Sequence, residues 1–326
     1  NVDFSDFPKM WASPSDAEKF SVQNGDLLVC EGGEVGRSAI LNGLKEKCII
    51  QNALHRVRSK RSSVKFLLYL MVHVNSKSWF DILCNKATIA HFTVEKFSTL
   101  NIPVPSLPEQ EKIAAFLDEE TGKIDHLIDK QQKLISLLEE KRQAVISHAV
   151  TKGLDPIVPL KPSGVEWLGD IPEHWEVKNI SKSSTKITNG YVGPTRDILV
   201  AEGVSYVQAT HIKRGKVNFD DAYFVRKKWS DAHSKSILKK DDVLIVQTGA
   251  GTGDIGLVSE KEEGYNCHAL IIVEPDTKSI TGAFLANVLQ SEYGYSKLYS
   301  IRTGGMHPHL NCGEIKFVDL PIPPFK

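Results

Sequence analysis

Two stretches of this chain repeat one another at nearly constant spacing, and any fold that suits one must suit the other. Asn24-Gly-Asp-Leu-Leu-Val29 resembles Lys240-Asp-Asp-Val-Leu-Ile245, so Asp26 maps onto Asp242, 216 positions later. A glycine-rich turn follows each: Gly32, Gly33 and Gly36 in the first copy, Gly249, Gly251, Gly253 and Gly256 in the second. Cys48 and Ala53-Leu54 answer Cys267 and Ala269-Leu270, and the copies close on Ile102-Pro-Val-Pro105 and Leu320-Pro-Ile-Pro323. Upstream, Val2-Asp-Phe4 pairs with Val217-Asn-Phe219. Spacing held over about 100 residues marks a duplicated domain. A section from about Ser163 to Lys216 precedes the second copy with no counterpart before Asn1, so residue 1 corresponds to about residue 216 or 217.

Within each copy, Leu27-Leu-Val29, Val243-Leu-Ile-Val246 and Leu270-Ile-Ile-Val273 are short aliphatic runs bounded by Gly, Asp and Asn, a pattern that predicts strands. Phe66–Val72 and Gly282–Leu289 predict one helix per copy. The expected fold is mixed α/β (α+β), with a curved sheet in each copy and no regular βαβ alternation.

Between the copies, residues 108–152 differ in kind. Pro108, Glu109 and Glu111 are good first-turn chemistry for a helix, and no further proline occurs until Pro156. Leu117, Ile124, Gln131, Leu138 and Val145 recur every seven residues. Thr121, Ile128, Ile135 and Arg142 fill the intermediate heptad position, and Leu127 and Leu134 widen the stripe. This predicts a long amphipathic helix with a coiled-coil seam, in which Gln131 fixes register. About 40 residues at ~1.5 Å each span roughly 60 Å. A helix of that length cannot bury its stripe on itself and calls for a partner helix. The expected division is therefore 1–107, 108–152, a linker over 153–162, and 163–326, with the first domain incomplete at its N-terminus and no second long helix after the last.

Composition narrows the class. Hydrophobic residues make up 41% and charged residues 25%, an ordinary globular balance. No apolar run approaches the ~18 residues of a membrane span, and no secretory signal is visible, so none is expected. Cys30, Cys48, Cys84, Cys267 and Cys312 form no C-x-x-C pair, which argues against zinc or a disulfide framework and for a reduced, cytoplasmic protein. Lysine plus arginine equals aspartate plus glutamate at 40 each, so net charge does not advertise a nucleic-acid partner, but the distribution is uneven. Arg56, Arg58, Lys60, Arg61 and Lys65 cluster with no acidic residue among them, and a second basic run extends from Lys213 to Lys240. Such runs suit phosphate contact, and equally a solvated lysine-rich face.

Three segments together carry a family resemblance: Leu107-Pro-Glu-Gln-Glu-Lys-Ile-Ala-Ala-Phe-Leu-Asp118, the heptads with Lys141-Arg-Gln-Ala-Val-Ile146, and Gly164-Val-Glu-Trp-Leu-Gly-Asp-Ile-Pro-Glu-His-Trp175. They resemble the specificity subunits of type I restriction-modification systems, over essentially the whole chain. The resemblance implies two target-recognition domains alternating with long helices that pack antiparallel as a spacer. Each domain would read half of a split site on double-stranded DNA. The helices would dock methyltransferase subunits, with motor-nuclease subunits joining that core. S-adenosylmethionine, ATP and Mg would then sit on those partners and none in this chain, which would not be an enzyme. The chain departs from the pattern at both ends, in its short first domain and where a second Leu-Pro-x-x-Glu-Gln helix is expected after Pro323.

Gly251-Thr-Gly-Asp-Ile-Gly256 satisfies G-x-G-x-x-G, but a nucleotide site needs a helix next, and Leu257–Gly264 is too short before the following strand. Pro323-Pro-Phe325 echoes an amino-methyltransferase motif, but Ile322 replaces the required asparagine, and no P-loop is present. His307-Pro-His309 lacks a third metal ligand nearby. A coiled-coil scaffold without DNA readout explains the helix but not the repeated domains.

Two places are the expected DNA-reading sites of the second domain. One is the strip Gln208, Thr210, His211, Lys213, Arg214 and Lys216. The other is the polar turn Arg302, Thr303, His307, His309 and Asn311, with Thr248 and Thr252 alongside. Lysines would hold phosphates, and arginine, asparagine, glutamine and threonine would read base edges. The expected partner-helix interface is Leu117, Ile124, Ile128, Gln131, Ile135, Leu138 and Val145.

Overall fold

The computed structural model describes residues 8–51, 53–77, 91–219, 223–304 and 308–324. Val2–Phe4, Cys84, His307 and Phe325 lie outside the described residues. The chain divides into two compact units, residues 1–133 and 134–326.

In the first unit an antiparallel sheet joins β1 (Leu27–Cys30), β2 (Ser38–Ile40) and β3 (Leu54–Val57), with β1 in the middle. Helix α1 (Val64–Ser76) packs on this sheet, and Leu27, Val29, Met71 and Phe92 are the buried centre. Each such side chain removed from water contributes about 1.5–3 kcal/mol.

The second unit rebuilds the same motif. β4 (Val243–Val246) pairs antiparallel with β5 (Ile255–Leu257) and β6 (Leu270–Pro275), and α2 (Gly282–Gln290) takes the place of α1. The register repeats as well. Leu27 faces Val57 and Cys30 faces Leu54 in the first unit, as Val243 faces Val273 and Val246 faces Leu270 in the second, all 216 apart. Helix caps correspond too: the Ser63 Oγ accepts from Phe66 N–H, and the Thr281 Oγ accepts from Phe284 N–H at 3.1 Å. The second unit extends this motif into a six-stranded sheet. A hairpin, β7 (Ile212–Lys213) and β8 (Gly215–Val217), joins beside β5, and β9 (Ser184–Asn189) joins beside β6. Its core includes Ile171, Trp175, Ile180, Ile245, Val273, Leu285 and Leu320.

Helix α3 runs unbroken from Leu107 to Lys152. At its start, Gln110 is buried, its Oε1 accepting from Ser63 N–H at 2.9 Å and its Nε2 donating to the Pro105 carbonyl at 2.8 Å. The glutamine of the Leu-Pro-Glu-Gln run thus ties this helix to the cap of α1. At the other end Val150 is buried in the second unit's core, and Gly153, with φ of +80°, terminates the helix in the left-handed conformation. Between Gly122 and Arg142 every residue is exposed. Among the described residues, no helix is long and apolar enough to cross a membrane.

Candidate nucleic-acid interface

The glycine-rich segment of the second unit closes the β4–β5 hairpin. Gly253 N–H donates to the Val246 carbonyl and Val246 N–H to the Asp254 carbonyl, both at 2.9 Å. Gly249 and Gly253 have φ near +95° and +94°, which only glycine adopts readily. A strand follows, not a helix, so this is a tight turn and not a phosphate cradle.

Around that turn the fold gathers most of the predicted polar cluster. Thr248 and Thr303 each form an isolated β-bridge with His309, and the Thr303 hydroxyl lies 3.0 Å from His309 Nε2. Thr248 and Thr303 are exposed. Thr252 is buried, with its hydroxyl donating to the Gly249 carbonyl at 2.6 Å, so its side chain stiffens the turn and has no outward face. Asn311 caps the short helix Cys312–Ile315, accepting from Glu314 N–H at 3.0 Å. Arg302 is half-buried and donates from Nη2 to the Thr252 carbonyl. Its guanidinium stands 4.8 Å from the ring centroid of Tyr299 and 6.0 Å from that of Tyr295. Burial pushes the Asp254 carboxyl up, and the charge of Arg302 offsets part of this.

The second predicted strip lies on a different element. Lys213 and Lys216 are cross-strand neighbours in the β7–β8 hairpin, whose two-residue turn is Arg214-Gly215. Both turn residues have positive φ, +52° and +82°, as a type I′ hairpin requires. Strand β8 runs parallel to β5 with Gly215 opposite Gly256, which brings this turn to the same end of the sheet as the glycine-rich turn. Lys213 and Lys216 are exposed, whereas Arg214 pairs with Glu139 of α3 at 2.8 Å. Thr210 is exposed. His211 is buried, accepts from Gln208 N–H at Nδ1 (2.9 Å) and packs 4.8 Å from the Phe219 ring, so it supports the local turn and does not face outward.

In the first unit, Arg56 and Arg58 are engaged by groups of the unit itself, although Arg58 stays partly exposed. Arg56 donates to the Ser21 and Lys19 carbonyls. Arg58 grips the buried Asp26 carboxylate at 2.6 and 2.8 Å. Burial raises the Asp26 carboxyl, but the Arg58 hydrogen bond, the Gln23 N–H and the charges of Arg58 and Arg56 outweigh it and hold the group below its ordinary range. Lys60 and Arg61 remain exposed between β3 and α1. The repeat breaks here. Asp242 matches Asp26, but residue 274, which matches Arg58, is glutamate. Asp242 Oδ1 is buried with no hydrogen-bond partner among the described residues. Burial, with a contribution from the Glu274 charge, pushes the Asp242 carboxyl up to about 6. Farther along the second basic run, Lys239 pairs with Glu274 at 2.9 Å and Lys240 pairs with Glu260, so part of that run is offset internally.

Along α3 the predicted seam divides. Leu117 and Thr121 are half-buried in the first unit, where Tyr69 reaches Thr121 at 3.2 Å. Ile124, Ile128, Ile135, Leu138 and Val145 are between 46% and 59% exposed, and Gln131 is exposed with them. What sequence reasoning missed is aromatic. Trp167, Tyr295 and Tyr299 stand 55%, 56% and 61% exposed. Tyr295 and Tyr299 are four apart on the helix Glu292–Ser300, spacing that places them on one face. That spacing was legible, but nothing local indicated that Arg302 would fold over them.

Comparison with known proteins gives one answer throughout. Residues 13–136 match the family described as the type I restriction modification DNA specificity domain. The MjaVIII specificity subunit of Methanocaldococcus jannaschii is 24% identical over 308 residues, which cover 92% of this chain and 69% of that protein. The EcoBI specificity subunit of Escherichia coli is 26% identical over 246 residues, covering 73% of this chain and 51% of that one. A chain solved in work on complex assembly and conformational transition of the type I R-M system shares the fold, with a TM-score of 0.60 at 15% identity over 93% of this chain and 71% of its own length.

Proposed function

We propose that this chain, a relative of the type I restriction-modification specificity subunits, recognises DNA by sequence and is not itself a catalyst. One observation carries the reading: two polar turns, far apart in sequence, emerge at one end of the second unit's sheet. The first holds Lys213 and Lys216, and the second has Thr248, Thr303, His309 and Arg302 around it. The lysines supply phosphate anchors beside groups able to read base edges. Lys60 and Arg61 serve the first unit in the same way. The exposed stripe of Ile124, Ile128, Gln131, Ile135 and Leu138 docks a partner helix and the methyltransferase subunits, to which motor-nuclease subunits add. S-adenosylmethionine, ATP and Mg belong to those partners, and the assembly works in the cytoplasm on double-stranded DNA.

The test is a salt-dependent binding titration on duplex DNA. Replacing Lys213 and Lys216 with glutamine should weaken binding to all sequences alike. It should also lower the slope of log affinity against log salt by ~0.9 for each phosphate no longer neutralised. An unchanged slope would remove the hairpin from the interface. Tight binding of S-adenosylmethionine by the purified chain alone would contradict a non-catalytic subunit.

A further inference from the structure

We propose that Arg302 reads a guanine in the major groove, and that Tyr299 is the residue that positions it. This rests on the DNA-recognition function proposed above and names the base that this part of the surface selects. Three contacts determine where the guanidinium lies. The Tyr299 ring lies under the charge, with Arg302 Cζ 4.8 Å from the ring centroid, a cation–π contact that holds the guanidinium on that side. The Thr252 carbonyl holds Nη2 at one end. Gly253 leaves the space this needs, since a Cβ there would stand 2.9 Å from Nη2.

The donors left over have a direction. Nε is buried and has no hydrogen-bond partner among the described residues, so a ligand cannot approach the fork from that side. Approach is left to the Nη end, where two parallel N–H groups match the O6 and N7 acceptors of guanine and no other base edge as well. Charge points the same way. Arg37, Arg58 and Arg214 each pair with a carboxylate, at 2.5, 2.6 and 2.8 Å. Among the described residues Arg302 has no such pair, nor do Arg56, Arg61, Arg142, Arg196 and Arg226, and Arg302 differs from those in being half-buried against an aromatic ring. Its charge is held by a ring and a backbone carbonyl and remains available to an acceptor outside the protein. Asp254 feels that charge without forming an ion pair, and Thr248, Thr303 and His309 flank the site with shorter polar groups.

The experiment is selection from a duplex library with a randomised segment, using the chain together with its co-purified methyltransferase subunit, followed by binding to the selected duplexes. Arg302→Ala and Arg302→Lys should each lose about tenfold or more of the preference for guanine at a single position and keep the rest of the site. Tyr299→Ala should weaken that same preference, and Tyr299→Phe, which retains the ring face, should restore it. Replacing that guanine with 7-deazaguanine, which lacks N7, should cost wild type several-fold and Arg302→Ala nothing. The proposal is overturned if the position that Arg302 controls is not guanine, or if Tyr299→Ala lowers affinity equally at every position, as a purely structural residue would. A wild-type complex that selects no sequence would refute the DNA-recognition function itself, an outcome distinct from both.

Discussion

Asp26 and Asp242 are one position of the repeat placed in two electrostatic settings. Each accepts the backbone N–H three residues upstream at 2.8 Å, from Gln23 and Lys239, so the turn geometry is common to both. They differ in what neutralises the buried charge. Asp26 has Arg58, and removing one partner of a buried pair leaves the other uncompensated. Arg58→Ala should destabilise the first unit by about 2 kcal/mol, between the cost for exposed pairs and the ~3–5 kcal/mol for fully buried ones, because the Arg58 side chain is 41% exposed. Asp242 has no such partner, and Glu274→Arg would give it one by copying the first unit. That change should raise the melting temperature of the second unit at pH 8 even though it removes the exposed Lys239–Glu274 pair. A lower melting temperature would show that the surface pair outweighs the buried one.

At the scale of elements, the long helix sets two different demands on its residues. Its ends are anchored by buried and half-buried contacts: Gln110 to Ser63 and Pro105 at the start, Val150 in the core at the finish, and Gln143 Nε2 to the Gln290 carbonyl at 2.6 Å. Its middle has no cover, with Ile128 at 58% and Ile135 at 46% exposure. Substitutions in the middle are therefore predicted to separate assembly from folding. Replacing both Ile128 and Ile135 with aspartate should leave the thermal unfolding of the isolated chain almost unchanged while abolishing co-purification with a methyltransferase subunit. Each buried aliphatic contributes ~1.5–3 kcal/mol to an interface, and a buried unpaired charge costs more. An unchanged yield of complex would exclude this stripe as the docking surface. The β7–β8 hairpin illustrates the opposite case, an element whose turn is packed. A Cβ at Gly215 would meet the Gln290 side-chain amide, and φ of +82° there favours glycine, while Arg214 reaches Glu139 in an exposed pair, so Gly215 is the constrained position of this turn.

At the scale of the whole molecule, the two units should respond to pH in opposite senses. Asp26 titrates below its unfolded value in the folded first unit, so its contribution is present above that unfolded value, near 3.8, and is lost only as pH falls through the lower folded value. Asp242 titrates at about 6 in the folded second unit against 3.8 as the unfolded reference. Its contribution is full below the unfolded value and is lost as pH rises through about 6. Calorimetry between pH 5 and 8 should show the second unit's transition moving down while the first unit's holds still, and Asp242→Asn should flatten that movement. Two transitions that shift together would contradict the separate settings of the two carboxylates. The duplication behind this contrast was legible from the residues alone. Offsets of 216 fixed the strands, and the structure reproduces them down to the register of Leu27 with Val57 and Val243 with Val273. The long helix was equally plain from its heptads. Both are periodic features, set by backbone geometry and by which face must leave water, and periodicity is carried in the order of residues. Partner choice is not. Whether a polar side chain faces outward depends on what lies across from it, and those neighbours come from distant positions. Thr252 and His211 read as surface groups, but they are buried supports of their own turns. Arg56 and Arg58 read as a basic patch, but they close on Ser21 and Asp26. Arg302 took its place only when Thr252, fifty positions earlier, came beside it with Tyr299, because hydrogen bonds and ring contacts are short-ranged and only folding brings such groups within reach.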